Sequence, residues 1–223
     1  MKRKMLVLVG LSVFVEAYCQ AALIEDFTRI GGEAGWPEPF LRPGWLNDGA
    51  QAFCDRSYVY SDVPSFLIGA DYIVTENNDK YDHTPDVEYE VNIVPNAGVV
   101  YAFVWLDNRW VTQDLWGDNP PYFPGWPAWL AQEGWTDADF DLGILEVGGS
   151  GYTRYSSIFY KPVISGNEGA SFHVGAAELP PTYWGSVCCN FYGIAVSSQI
   201  PEPSTLLLLS LGGLYVRVKR RRR

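Results

Sequence analysis

The chain has 223 residues, 48% of them hydrophobic and 15% aromatic, and a formal net charge of −10 at pH 7. That average conceals an asymmetry, because residues 22–199 hold only seven Lys and Arg against 24 Asp and Glu, a net of −17. So acidic a segment excludes a nucleic-acid partner, whose phosphates require a basic face. It favours solubility, and it is long enough for one domain with a substantial core.

Residues 1–21 read as a secretory signal peptide. Lys2, Arg3 and Lys4 form the basic start, residues 5–15 the apolar run, and small residues around Ala17, Cys19 and Ala21 offer a cleavage point. Tyr18 stands where a lipoprotein signal needs a small residue, so Cys19 is a poor lipidation site. Export through the Sec machinery follows from this reading.

Residues 22–199 form the exported domain. The Gly-, Pro- and Trp-rich stretch 31–49 is predicted as an ordered loop, and residues 57–63 and 71–75 as strands. Residues 87–93 alternate apolar and polar, which places Val87, Tyr89, Val91 and Ile93 on one buried face. A turn over Pro95, Asn96, Ala97 and Gly98 then leads to a second, more apolar strand at 99–106, and the two are expected to pair as a hairpin. Further on, 127–133 suits a short helical turn, and 152–160, 170–174 and 191–197 suit strands. Many short strands separated by turn signals, with no long helical period, predict an all-β domain built as an antiparallel β-sandwich or jelly roll.

The mature segment keeps Cys54, Cys188 and Cys189. Outside the cytoplasm a bridge is expected, from Cys54 to Cys188 or Cys189, since adjacent cysteines join each other only with strain. A three-cysteine metal site is the weaker alternative, with no CxxC spacing and no nearby His.

Few residues offer catalytic chemistry. His83 lies in an acidic loop, and His173 alternates with Phe172 and Val174, which turns it outward on a strand. The nucleophile-elbow, zinc-protease, phosphate-loop and dinucleotide motifs are absent. A carboxylate pair of the glycosidase type is the enzymatic alternative, but among 24 acids some pair always looks suitable, which makes the signal weak. Two acidic clusters are candidates for Ca²⁺, the one possible cofactor: Asp79 with Asp82, and Asp137 with Asp139 and Asp141. The second lacks the glycine and the closing Glu of a calcium loop, and solvated loop acids are the simpler account of both.

Tryptophan is concentrated between residues 105 and 135. Trp116 and Trp126 sit beside glycine in a Pro-rich setting near Asp114 and Asp118, and they are the candidates for an exposed platform for the apolar faces of sugars, with core or loop packing the commoner use of such rings. Trp105 and Trp129 lie in apolar context and are predicted as core.

Residues 200–223 read IPEPSTLLLLSLGGLYVRVKRRRR. The triplet Pro201, Glu202, Pro203 precedes an apolar run at 206–218 and five consecutive cations at 219–223. As a helix the run is about 20 Å long, short for a bilayer core of about 30 Å, and the cations hold its far end in the cytoplasm. This order closely resembles the PEP-CTERM sorting signal of Gram-negative bacteria. The resemblance implies recognition by an exosortase, a membrane-embedded cysteine protease, with membrane anchoring during sorting and then a place at the cell surface or outside it.

A second resemblance covers most of the exported part. Residues 55–58, Val63-Pro64, 69–73, 78–80, 99–101, 107–109 and Trp129-Leu130 follow an order similar to a β-sandwich module that recurs in PEP-CTERM and carbohydrate-active proteins. It implies the fold and polysaccharide-rich surroundings, and carries no catalytic residue. The function expected is therefore non-enzymatic: structural or carbohydrate-binding, in the envelope or exopolysaccharide.

Overall fold

A computed structural model describes residues 21–32, 37–81, 87–110, 125–176 and 192–201. These residues form ten strands: β1 (Ile24–Ile30), β2 (Phe40–Arg42), β3 (Val59–Ser61), β4 (Asp71–Val74), β5 (Glu88–Ile93), β6 (Gly98–Asp107), β7 (Thr136–Leu145), β8 (Thr153–Ser165), β9 (Ala170–Val174) and β10 (Gly193–Ser197). One short helix, α1 (Ala128–Gln132), precedes β7. β1, β5 and β9 make a three-stranded sheet, and the others a seven-stranded sheet in the order β2-β4-β10-β6-β8-β7-β3. All strand pairs are antiparallel, an arrangement consistent with a β-sandwich.

The alternation at 87–93 is realised: Val87, Tyr89, Val91 and Ile93 are buried. The hairpin is not. β5 pairs with β1 and β9, whereas β6 pairs with β10 and β8, so the turn between them carries the chain from one sheet to the other. The two strands differ physically in the way that separation requires. β5 has one buried face, while β6 is buried on both faces from Ala102 to Asp107, as a central strand must be. Asn96 and Gly98 hold positive φ (61° and 74°) at this corner. A neighbouring corner, between β8 and β9, makes the same crossing, and the Asn96 amide donates to the Gly166 carbonyl at 2.8 Å to join the two.

β8 runs past the predicted 152–160 to Ser165, through Pro162. Its pairing with β7 ends at Tyr160, so Pro162 has only β6 beside it, the edge-like setting in which a strand tolerates proline. β1, β2 and β7 carry too many charged or exposed residues for a clear strand pattern in the sequence. The sheets bury one continuous core around Trp105, Tyr60, Tyr72, Phe103, Tyr89 and Tyr192. Tyr60 meets Trp105 and Tyr72 edge-on, at 5.4 and 5.8 Å between ring centres.

Polar groups tie the sheets together. The Tyr192 hydroxyl, which can donate only one proton, lies 3.0 Å from both the Val87 and Gly175 carbonyls. Asp71, buried on β4, accepts from the amides of Leu23, Ile24 and Gly44 at 2.5, 3.1 and 2.6 Å. That carboxylate thereby meets three backbone donors from two chain segments where the small sheet begins.

Candidate functional site: buried acids, an aromatic corner and the exit of the last strand

The acid-rich composition resolves into pairs. Arg29 on β1 reaches across to Glu76 at 3.1 Å and to Asp79, and the Tyr89 hydroxyl donates to the other Asp79 oxygen at 3.0 Å. Burial, and the neighbouring Asp79 charge, push the Glu76 carboxyl up to about 7. Asp79 is also raised, by burial, against the pull of Arg29. On the large sheet Arg109 holds Asp107 at 2.9 Å, and Glu146 lies between Arg109 and Arg154 while accepting from the Ser150 hydroxyl. All five buried acids among the described residues, Asp71, Glu76, Asp79, Asp107 and Glu146, are thus engaged by a cation or by backbone amides. Sequence reading placed Asp79 in a calcium cluster and missed Arg29. The available signal was scarcity: with seven cations in the domain, one in a strand is expected to serve a buried acid.

Asp137, Asp139 and Asp141 lie on β7 rather than in a loop, and all three are exposed. The pairing with β8 is irregular between Asp137 and Asp141, Asp139 holds a φ of 56°, and its amide bonds to Asp137 Oδ1 at 2.9 Å. Among the described residues no three His, Cys, Asp or Glu side chains are placed to share a metal ion. Cys54 has no disulfide partner among the described residues, and its Sγ lies 3.1 Å from the Pro37 carbonyl. Burial and the nearby Asp55 and Glu76 push its thiol up to about 12.

The aromatic corner is built on α1 and the strand after it. Trp129 is buried, and its Nε1 donates to the Ala176 carbonyl at 2.9 Å. Trp135 meets it edge-on, and Lys161 Nζ sits 4.5 Å above the Trp135 ring. Lys161 pairs with Glu133 at 3.0 Å, and His173 bridges Glu133 and Glu88 at 2.9 and 3.0 Å. Burial opposes the imidazolium, but the hydrogen bonds to Glu133 and Glu88 outweigh it and raise His173 above its usual value. Beside this cluster lies a groove of about 510 Å³ between β8 and β9, lined by Glu90, Lys161, Ser171 and His173. Trp126 is half-buried and packs edge-on against Phe159 at 5.3 Å, so only part of its ring is available to a ligand. Trp105 is fully buried.

Trp45 is exposed, at 63%. It follows Gly44 in the loop after β2, a Gly-Trp placement like that of Trp126 but outside the tryptophan-dense stretch that drew attention in the sequence. Leu46 bonds to Ala70 and Gly69 through the backbone, and Ala70 precedes β4, whose neighbour is β10. Trp45 therefore lies beside the end where β10 leaves the sheet.

That exit has its own groove, of about 600 Å³, lined by Asp62, Pro64, Phe66, Phe140, Asp141 and Ile200 among others. Phe66 and Phe140 meet edge-on at 5.2 Å in its floor. The Ser197 hydroxyl donates to the Phe66 carbonyl at 2.9 Å and accepts from the Gln199 amide at 3.0 Å, which holds the departing chain to the groove. Pro201 is buried. Asp82, Asp114, Trp116, Asp118, Cys188, Cys189, Glu202 and Pro203 lie outside the described residues, as does the apolar run at 206–218. Among the described residues no helix is long and apolar enough to cross a membrane.

Comparison with known proteins identifies residues 199–223 as a PEP-CTERM protein-sorting motif. No curated protein matches the chain. Among solved structures, a beta-glucuronidase from glycoside hydrolase family 2 is similar to 80% of this chain, at 16% identity and a TM-score of 0.53. The chain spans only 15% of that protein's length, so the likeness is one of fold. The motif supports an exported protein that is sorted through the membrane by an exosortase.

Proposed function

We propose that the exported domain is a non-enzymatic component of the cell surface or extracellular matrix that binds polysaccharide weakly through exposed aromatic rings. The observation that carries the non-catalytic part is the engagement of every buried acid among the described residues. Those carboxylates hold strands together through Arg29, Arg109, Arg154 and backbone amides, a scaffolding use. Trp45, Trp126 and Trp116 are the rings proposed for glycan contact, with Asp114 and Asp118 as hydroxyl acceptors; the 63% exposure of Trp45 suits such a contact.

A polysaccharide-acting enzyme is the second reading, favoured by the fold likeness to a beta-glucuronidase. One experiment separates the two. The purified full chain is incubated with a panel of bacterial exopolysaccharides, and both retention and released sugars are measured. Retention without release, reduced by Trp45→Ala at unchanged melting temperature, is expected. Release of reducing ends would establish the enzyme, and no retention at all would remove the binding role.

A further inference from the structure

We infer that the face around the β10 exit is a second recognition surface for the exosortase, used together with the sorting motif. This rests on the sorting reading above and goes beyond it, because it assigns the folded domain a part in recognition.

The argument begins with tether length. β10 ends at Ser197, and Ser197 and Gln199 hold the following residues to the groove. From Pro201 to Leu206, where the apolar run begins, there are four intervening residues. Even fully extended, that stretch spans at most about 18 Å. β10 cannot yield easily to lengthen it, because it is bonded on both sides, to β4 and to β6. Whatever membrane enzyme takes the motif therefore meets this face of the domain at close range.

The face is shaped and apolar enough to be met. Trp45, Ile68 and Ile200 are exposed at 63%, 55% and 43%. The backbone bonds of Leu46 to Gly69 and Ala70 place the first two on adjoining loops, and the loop that carries Ile68 also carries Phe66 of the groove. Exposed Asp62 and Asp141 stand at the groove. A concave apolar groove bearing two carboxylates suits a protein partner that offers an apolar side chain and cationic or N–H donors. It suits a lipid headgroup layer less well, since lipids do not present a shaped plug.

The test follows processing of the full-length chain in a host that contains the exosortase, by pulse labelling and tail-specific detection. The double variant Asp62→Lys/Asp141→Lys is compared with Glu25→Lys/Glu90→Lys, which makes the same charge change on exposed positions of the other sheet. Melting temperatures confirm folding of both. The exit-face variant should process about fivefold more slowly, the ratio for about 1 kcal/mol of lost contact, and the other at the wild-type rate. A photo-reactive residue at position 68 should cross-link to an exosortase whose nucleophile has been replaced, identified by mass spectrometry. Equal rates for both variants, or cross-links to lipid alone, would overturn the docking surface while leaving sorting intact. An unprocessed wild-type tail would instead overturn the sorting reading, and this inference with it.

Discussion

The Thr75 hydroxyl donates to the Tyr192 carbonyl at 2.9 Å, while the Thr75 carbonyl accepts from the Cys54 amide at 2.9 Å. Thr75 thus brings the Cys54 segment next to Tyr192, which immediately precedes β10 and stands three residues after Cys189 in sequence. A bridge from Cys54 to Cys188 or Cys189 is expected in the exported protein. It would close a long loop, worth about 4–5 kcal/mol by chain entropy before strain is subtracted. Alkylation in denaturant without reductant should leave Cys54 and one of the pair unmodified. Modification of all three thiols would show that no bridge forms.

The cluster of Arg29 with Glu76, Asp79 and Tyr89 ties the small sheet to the segment after β4. Removing the cation leaves two buried carboxyls without their counter-charge, so Arg29→Ala should cost about 3–5 kcal/mol in urea unfolding. Adding Glu76→Gln and Asp79→Asn to that variant should recover part of the loss, because neutral amides carry no charge into the interior. A triple variant as unstable as the single one would mean that packing by the Arg29 stem dominates.

Stability should fall as pH rises from mildly acidic to mildly alkaline. Glu76, raised to about 7 from an ordinary 4.5, binds more protons in the folded state between those values, so the fold loses stability across that window. Asp79 shifts in the same direction. His173, raised above 6.5, adds stability that is complete below 6.5 and lost as pH rises through its folded value. Glu133 acts oppositely. Burial would raise it, but the hydrogen bonds from His173 and Lys161 lower it below 4.5, so its contribution is lost as pH falls through that lowered value. Melting temperature should therefore peak at about pH 4.5, where the Glu133 contribution is complete and the Glu76 loss begins. Glu76→Gln should flatten the slope below neutrality and His173→Gln the slope above it.

Trp105 is the test of the core. Its ring lies against Gly193, where an added Cβ would come within 2.3 Å of ring atoms. Trp105→Ala should cost about 3–5 kcal/mol as a core deletion, and Gly193→Ala about 1–3 kcal/mol by overpacking. Trp45→Ala should leave the melting temperature nearly unchanged, which is what separates an exposed ring from a core ring.

The sorting motif predicts that the tail is processed at the membrane. Mass spectrometry of the mature protein should find no peptide from residues 215–223. Recovery of the intact tail from a host with an exosortase would contradict this.

Local pattern alone determined a good deal of this protein. The order of triplet, apolar run and cations at 200–223 is legible because sorting is read from contiguous sequence. The burial of alternate residues at 87–93 is legible because a strand with one wet face repeats every second residue. The tertiary structure decided which strands pair. Residues 87–93 and 98–107 are neighbours in sequence but lie in different sheets, since β6 is buried on both sides and takes central partners from distant segments. It decided also what the acids do, because Arg29 meets Asp79 across 50 positions of sequence. Exposure was decided there too: Trp126 and Trp45 both neighbour glycine, yet one packs on Phe159 and the other stands in solvent. Periodicity reports which face of an element is apolar. Only the assembled sheets determine what that face meets.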